Sequence, residues 1–290
     1  MVFNDAPPHF QSPRLGVVVN VTILNGLIGF AGAYVVDRVE FSCLPYKITV
    51  SGHSADLRSE MKANKTKYSD DAAVKDIVEE KASGYGLKAK VSNAVSAHVY
   101  DWIGQQDETD LNFLDRLAKR HGALFTIKNS VLLWLERGTG KMADGAVIPS
   151  AKILPAFIIE GSCKVSEADL DCYAKVKCYW QDRKGAKRHE VVVDADPEAS
   201  GERTLRTPFS SKEEAEAAAK AAVREMMRGL IETSCSIVGR PGLMAGQPVV
   251  YARVRPVVDG REFIIEMVRQ TFSNTGGVQT AFKGKLEAEG

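Results

Sequence analysis

The chain has 290 residues, 44% hydrophobic and 26% charged, with 38 Lys and Arg against 37 Asp and Glu for a net charge of +1. That length allows one large domain or two to three small ones, and the composition excludes a disordered chain, a collagen-like chain and a coiled-coil rod. Near-neutrality excludes a general electrostatic pull toward nucleic acid or an anionic membrane, and its weak colloidal repulsion suits a protein that lives in an assembly.

The first residues, Met1 to Pro13, carry an acid and three prolines rather than a basic leader, so no targeting signal is expected there. From Leu15 to Val36 there is no charge for 22 positions, about the length of a membrane span. Asn20, Thr22, Asn25 and the glycines Gly16, Gly26, Gly29 and Gly32 oppose that reading. Val17-Val18-Val19 and Val35-Val36, placed around the turn pair Asn25-Gly26, predict two paired strands and no membrane insertion. The second strand continues through Val35, Val39 and Phe41, expected on one face together with Asp37. Leu44-Pro45 turns, and Lys47 to Val50 pairs back.

From Asp56 to Glu136 the character changes. Ser69, Asp70 and Asp71 precede Val74, Ile77 and Val78 at helical spacing, which predicts a helix with its acids in the first turn and Gly84 at its end. A second helix is expected over Thr109–Arg120, burying Leu111, Leu114, Leu117 and Ala118 and stopping at Gly122. A hairpin follows, Leu124 to Ile127 and Val131 to Leu135, turning at Asn129-Ser130. Glu136 to Ser150 reads as a loop. Strands are expected at Ile153–Ile159, Tyr173–Trp180 and Glu190–Val193. A long helix is expected over 211–228, with Ser211 and Glu214 as a capping box and Ala215, Ala219, Ala222, Val223 and Met226 as its apolar face. The tail returns to strands at Val249–Val254, Phe263–Phe272 and Val278–Leu286, with a turn at Asn274 to Gly277.

No motif carries a reaction. Gly138-Thr139-Gly140-Lys141 resembles a phosphate loop, but Met142 stands where Ser or Thr would hold magnesium and no helix is expected after it. Gly26, Gly29 and Gly32 have the wrong spacing for a dinucleotide fingerprint. Asp107, Glu108 and Asp110 are the nearest thing to paired catalytic carboxylates, and their place before a helix is explained by capping and the helix dipole. His9, His53, His98, His121 and His189 are scattered. Cys43, Cys163, Cys172, Cys178 and Cys235 contain no CxxC, so reduced thiols are expected rather than a zinc site. The basic run Arg183, Lys184, Lys187, Arg188 and His189 reads as a solvated hairpin tip with no interleaved aromatics. No catalytic, cofactor-binding or metal-ligating residue is assigned.

One resemblance does cover most of the chain. Tyr85-Gly86-Leu87, then Gln106, Glu108-Thr109-Asp110, Phe113-Leu114, Arg116-Leu117-Ala118 and Gly122, then Phe125 to Leu135, resemble the phage late control gene D family, the baseplate hub proteins of contractile tails. Thr109 stands where the family usually has Ser, an equivalent capping hydroxyl. Further similar stretches are Val36-Asp37 with Val39-Glu40, His53-Ser54-Ala55-Asp56-Leu57-Arg58, Tyr173 with Trp180-Gln181-Asp182, Leu205 with Ser210, and Gly239-Arg240-Pro241-Gly242-Leu243 with Gly246-Gln247-Pro248-Val249. The departure is at the start. Family members carry further strands before the segment matching Pro13-Arg14-Leu15-Gly16, where this chain has only Met1 to Ser12.

The resemblance implies an α+β, mostly β fold with two β-barrel, tail-tube-like domains and inserted αβ material. The corresponding boundaries are 1–55 for the first barrel portion, short at its N-terminus, 56–145 for the inserted αβ domain, and 146–290 for the second barrel with the long helix. It implies a homotrimer that joins a six-fold tail tube to a three-fold spike, with the spike protein, the tail tube or tape-measure protein and other baseplate proteins as partners and DNA only as passing cargo. It implies a virion tail component assembled in the bacterial cytoplasm, with no cofactor and no bond chemistry. The alternatives are the base of a type VI secretion-type spike, which is the same fold in another machine, and a tail-associated cell-wall hydrolase centred on Asp107, Glu108 and Asp110.

Overall fold

A computed structural model describes residues 1–25, 28–54, 61, 63–128, 130–168, 172–182, 185–240 and 242–287. Strands dominate and the larger sheets curl as half-barrels, in keeping with the expected mostly β class.

The N-terminal sheet has the order β1 (Val2–Asn4), β4 (Tyr46–Ser54), β3 (Ile28–Cys43), β2 (Val18–Asn25), all antiparallel. The expected turn at Asn25-Gly26 lies partly outside the described residues. A bulge between Val36 and Arg38 adds one residue to β3. The extra residue reverses which side chains face inward. Val36, not Val35, therefore joins Val39 over Ile48 and Val50, while Asp37 is exposed. Gly52 lies opposite the bulge, where a Cβ would stand 2.2 Å from the Val35 carbonyl oxygen, so no larger residue fits the approach.

The next unit pairs β5 (Asn64–Ala73) with β7 (Val99–Thr109) and builds a second sheet in the order β6 (Lys88–Val91), β9 (Val131–Glu136), β8 (Ala123–Lys128). Helices α1 (Val74–Gly84) and α2 (Asp110–Arg120) pack on them around Trp134, Leu132, Leu114, Leu117 and Tyr100. The first helix starts later than its acids suggested. Ser69, Asp70 and Asp71 belong to β5, whose backbone is committed to the ladder with β7, and the cap residue Ala73 offers no side chain to the helix. The second helix matches its expectation. Thr109 is its cap, its hydroxyl accepting from the Asn112 amide at 3.1 Å, and Phe113 joins the buried stripe where Leu111 stays partly exposed. Of the expected hairpin turn, Asn129 is outside the described residues.

The third core lies between α3 (Lys212–Gly229) and the sheet β13 (Lys187–Asp194), β12 (Lys175–Asp182), β14 (Glu202–Thr204). Ala215, Ala218 and Ala219 sit directly on Val176, Cys178 and Val191. Ser211 caps α3 by accepting from the Glu214 amide, but Glu214 does not reach back to complete the box; its carboxylate has other partners, described below. The largest sheet runs β10 (Ala151–Ile153), β16 (Pro248–Tyr251), β17 (Glu262–Ser273), β18 (Gly277–Leu286), β15 (Ile231–Val238), β11 (Lys164–Glu167) around Tyr251, Phe263, Phe282 and Ile237. The strand expected over Ile153–Ile159 ends at Ile153. Pro155 lacks an N–H for a ladder and opens a 3₁₀ turn, Pro155–Phe157. A bulge between Ile265 and Met267 faces Gly284, where a Cβ would lie 2.9 Å from the Ile264 carbonyl oxygen. The two curled sheets thus share one device, a bulge opposite a glycine.

Candidate assembly surface

The charge-free stretch from Leu15 to Val36 forms a ribbon. β2 pairs with β3 from Val18↔Val35 to Asn25↔Ile28, whereas β4 covers β3 only from Tyr34 to Cys43. Most of the ribbon therefore has two strands and no third, an arrangement only marginally stable in water by itself. Its described side chains alternate between exposed and half-buried, and none of them between Val18 and Leu24 or between Ala31 and Val35 is fully buried. Among the described residues, the fully buried apolar side chains of this sheet are Val36, Ile48 and Val50. By contrast Leu44, Leu24 and Phe41 are 83%, 67% and 60% exposed. Of the 22 large apolar side chains most exposed among the described residues, eleven lie between Met1 and Tyr46, which concentrates the uncovered apolar surface on this sheet. Where exposed apolar side chains of this kind are contiguous, they are commonly docking surfaces. Among the described residues, no helix is long and apolar enough to cross a membrane.

The carboxylates singled out above are each bound within the fold. Asp110 is 1% exposed at the first turn of α2. Its Oδ2 accepts from Lys65 Nζ at 2.7 Å and from the Tyr85 hydroxyl, and its Oδ1 from Lys81 Nζ at 2.5 Å and Gln105 Nε2 at 3.0 Å. Four donors occupy the four lone-pair positions of the carboxylate. Burial pushes its pKa up, but the two ammonium groups and the Tyr85 and Gln105 donors outweigh it, and the net is well below the usual carboxylate range. Such a group neither gives nor takes a proton near neutral pH. Glu108 is tied to Arg116, and Asp107 accepts from Asn64 Nδ2 at 3.2 Å.

A second network joins the αβ unit to α3. Glu214 is buried. Its Oε2 accepts from the Ser210 amide and hydroxyl, and its Oε1 lies 2.7 Å from the Tyr100 hydroxyl and 3.0 Å from Arg120 Nε. Tyr100 must donate to the carboxylate, so at its 2.7 Å contact with His121 Nε2 it accepts, which fixes the neutral Nε2–H tautomer. His98 lies against both rings, 4.5 Å from Tyr100 and 5.4 Å from His121 between centroids. Burial, then the neighbouring His98, lowers His121 to a pKa of about 4. Scattered histidines thus meet in space, a convergence with no local sequence signal because the pair is brought together by β7 and the end of α2.

The basic run is not a bare loop tip. Lys187, Arg188 and His189 lie inside β13 opposite Asp182, Gln181 and Trp180, with Arg183 and Lys184 outside the described residues. The aromatic partners absent from the run itself arrive across the ladder: His189 stacks on Trp180 at 4.6 Å and the Arg188 guanidinium lies 3.7 Å from the centre of the Tyr179 ring. Gly138-Thr139-Gly140-Lys141 leads to a bridge between Lys141 and Val147, not a helix, and Gly138 abuts the buried guanidinium of Arg228. None of the five cysteines is joined in a disulfide.

Residues 13–276 match the model of the phage tail baseplate hub (GPD) family. The chain is 28% identical to the probable baseplate hub protein of Escherichia phage P2, over 99% of its own length and 82% of that protein. It is 25% identical to the probable baseplate hub protein of Escherichia phage 186, over 94% and 80%. Its fold is similar to that of the 43 kDa tail protein of prophage MuSo2 from Shewanella oneidensis, with a TM-score of 0.69 and 15% identity over 98% of this chain and 88% of the other.

Proposed function

The chain belongs to the phage tail baseplate hub family, and on that premise we propose that it acts as the homotrimeric adaptor of a contractile tail, joining the six-fold tail tube to the three-fold spike. Three copies close a ring whose lumen passes DNA as cargo. The partners are the other two copies, the spike protein, the tail tube or tape-measure protein and neighbouring baseplate proteins. In this reading residues 1–55 are the first barrel portion, 56–145 the inserted αβ domain and 146–290 the second barrel. The ring is assembled in the bacterial cytoplasm and leaves the cell in the virion tail. Its work is mechanical: it makes and breaks no covalent bond.

The observation that carries this reading is the uncharged, two-stranded ribbon of β2 and β3 with its exposed apolar side chains. Pairing or packing against a neighbouring copy removes both its open edges and its apolar surface from water, and in a closed ring no copy is left with a free edge. Light scattering on the double variant Val18→Asp, Leu24→Asp tests it. Both side chains are exposed in a single copy, so the charges are tolerated by the fold but not by a buried seam. The expected result is loss of the trimer with an unchanged circular dichroism spectrum. A variant that assembles like the parent contradicts the seam.

A further inference from the structure

The largest sheet brings two cysteines face to face. β11 pairs antiparallel with β15 from Lys164↔Ser234 to Glu167↔Ile231. One step before that ladder, the same register sets Cys163 against Cys235. Cys163 packs against the core that holds Cys235 and Tyr251 and acts electrostatically on both, and the Tyr251 hydroxyl bonds Thr233 Oγ1 at 2.6 Å. Cys235 is buried, and Cys163 is half-buried beside the turn from Ile159 to Ser162. Directly opposed residues in an antiparallel pair have Cα atoms about 4.5 or 5.5 Å apart, and both values fall within the roughly 4.4–6.8 Å that a disulfide spans. β11 is four residues long and stands at the edge of its sheet, so it is held by few ladder bonds.

We propose that Cys163 and Cys235 form an oxidation-dependent disulfide that staples the edge strand β11 to β15 once the protein leaves a reducing compartment. The oxidant is a low-molecular-weight disulfide. The Cys163 thiolate, the more accessible of the two, attacks one sulfur of that disulfide, forming a mixed disulfide and releasing one small thiolate. The Cys235 thiolate then attacks the Cys163 sulfur and releases the second. Two protein thiols are oxidised, the small disulfide is reduced to two thiols, and the two protons lost by the cysteines end on the leaving groups. Burial, then the neighbouring Cys163, pushes the Cys235 thiol up to about 12, so little of it is thiolate at neutral pH and the second step is slow, while the reduced thiol pool of a cytosol holds the pair open. The biological setting rests on the virion reading above, because a tail protein is made in a reducing cytoplasm and works outside it. The chemistry does not depend on that reading.

The test uses the purified full-length protein incubated with oxidised glutathione. Thiols titrated after denaturation are expected to fall from the five of the sequence to three. Peptide mapping should find Cys163 joined to Cys235 with the loss of two hydrogens, and the unfolding midpoint should rise by about 5 °C or more and return on reduction. The variant Cys163→Ser keeps a similar small side chain at the more exposed position, and it should fold like the parent yet retain all its remaining thiols. Five thiols after oxidation, a glutathione adduct that stops at Cys163, or a bond through Cys43, Cys172 or Cys178 each overturns the proposal. A trimer that fails to form while this bond does form counts against the hub reading alone.

Discussion

At the scale of single residues, the carboxylates of Asp110 and Glu214 tie distant parts of the chain together. Asp110 holds two lysines that lie 45 and 29 positions away in sequence. Removing it leaves Lys81, itself largely buried, without a counter-charge. Asp110→Ala is therefore expected to destabilise the chain by about 3 kcal/mol in denaturant titration, the usual cost of breaking a buried pair from one side, and an effect below about 1 kcal/mol would show the network to be ornamental. Saturation of Asp110 leaves Asp107, Glu108 and Asp110 poorly suited to act together in hydrolysis: a peptidoglycan zymogram should show no cleared band, and a band lost on Glu108→Gln would revive that reading. His121 gives a pH signature. Its folded pKa of about 4 lies below the roughly 6.5 of a free imidazole. The unfolded chain then binds a proton that the folded chain refuses, so stability is complete above about pH 6.5 and falls as the pH drops toward 4, by on the order of 2 kcal/mol. Thermal melts across that window should show the slope, and His121→Asn should reduce it, the rest coming from His98, whose pKa burial also lowers. Asp110 and Glu214, whose pKa values are depressed, add their loss only at lower pH, below the ordinary carboxylate range.

At the scale of elements, the parts with strong local grammar were readable in advance. The apolar stripe of α2, the alanine face of α3 and the β17–β18 hairpin follow from spacing and turn chemistry, and the Thr109 cap from the family resemblance. Removing the Thr109 hydroxyl in Thr109→Ala should cost about 1 kcal/mol in the same titration, and a neutral result would mean that packing alone sets the helix start. Elements defined by distant partners were not readable. β5 carries Ser69, Asp70 and Asp71 in a polar run that looks like a helix entry, and becomes a strand only because β7 supplies its ladder. β15 begins two residues after α3 ends, with no turn signal between them. The bulge at Asp37 reverses the inward face of β3, so that alternation counted from Val35 gives the wrong side. The carboxylate cluster was visible in sequence, whereas the lysines that neutralise it and the Tyr100–Glu214 contact, 114 positions apart, were not. The bulge-and-glycine device gives its own test: Gly52→Val places atoms on the Val35 carbonyl and should cost about 2 kcal/mol or more, read as a lower unfolding midpoint.

At the scale of the whole molecule, near-neutral charge and an uncharged N-terminal ribbon suit the proposed contact between copies. Among the described residues, the N-terminal sheet fully buries only Val36, Ile48 and Val50 of its apolar side chains, whereas the two larger cores are closed by Trp134, Tyr251, Phe263 and Phe282. That imbalance has a direct consequence for mass. The native assembly, measured by light scattering or native mass spectrometry alone and with its spike protein, is expected to contain three copies of the 31.6 kDa chain, about 95 kDa without the spike's own contribution. A chain that stays at 31.6 kDa at high concentration, with the spike present, contradicts the account.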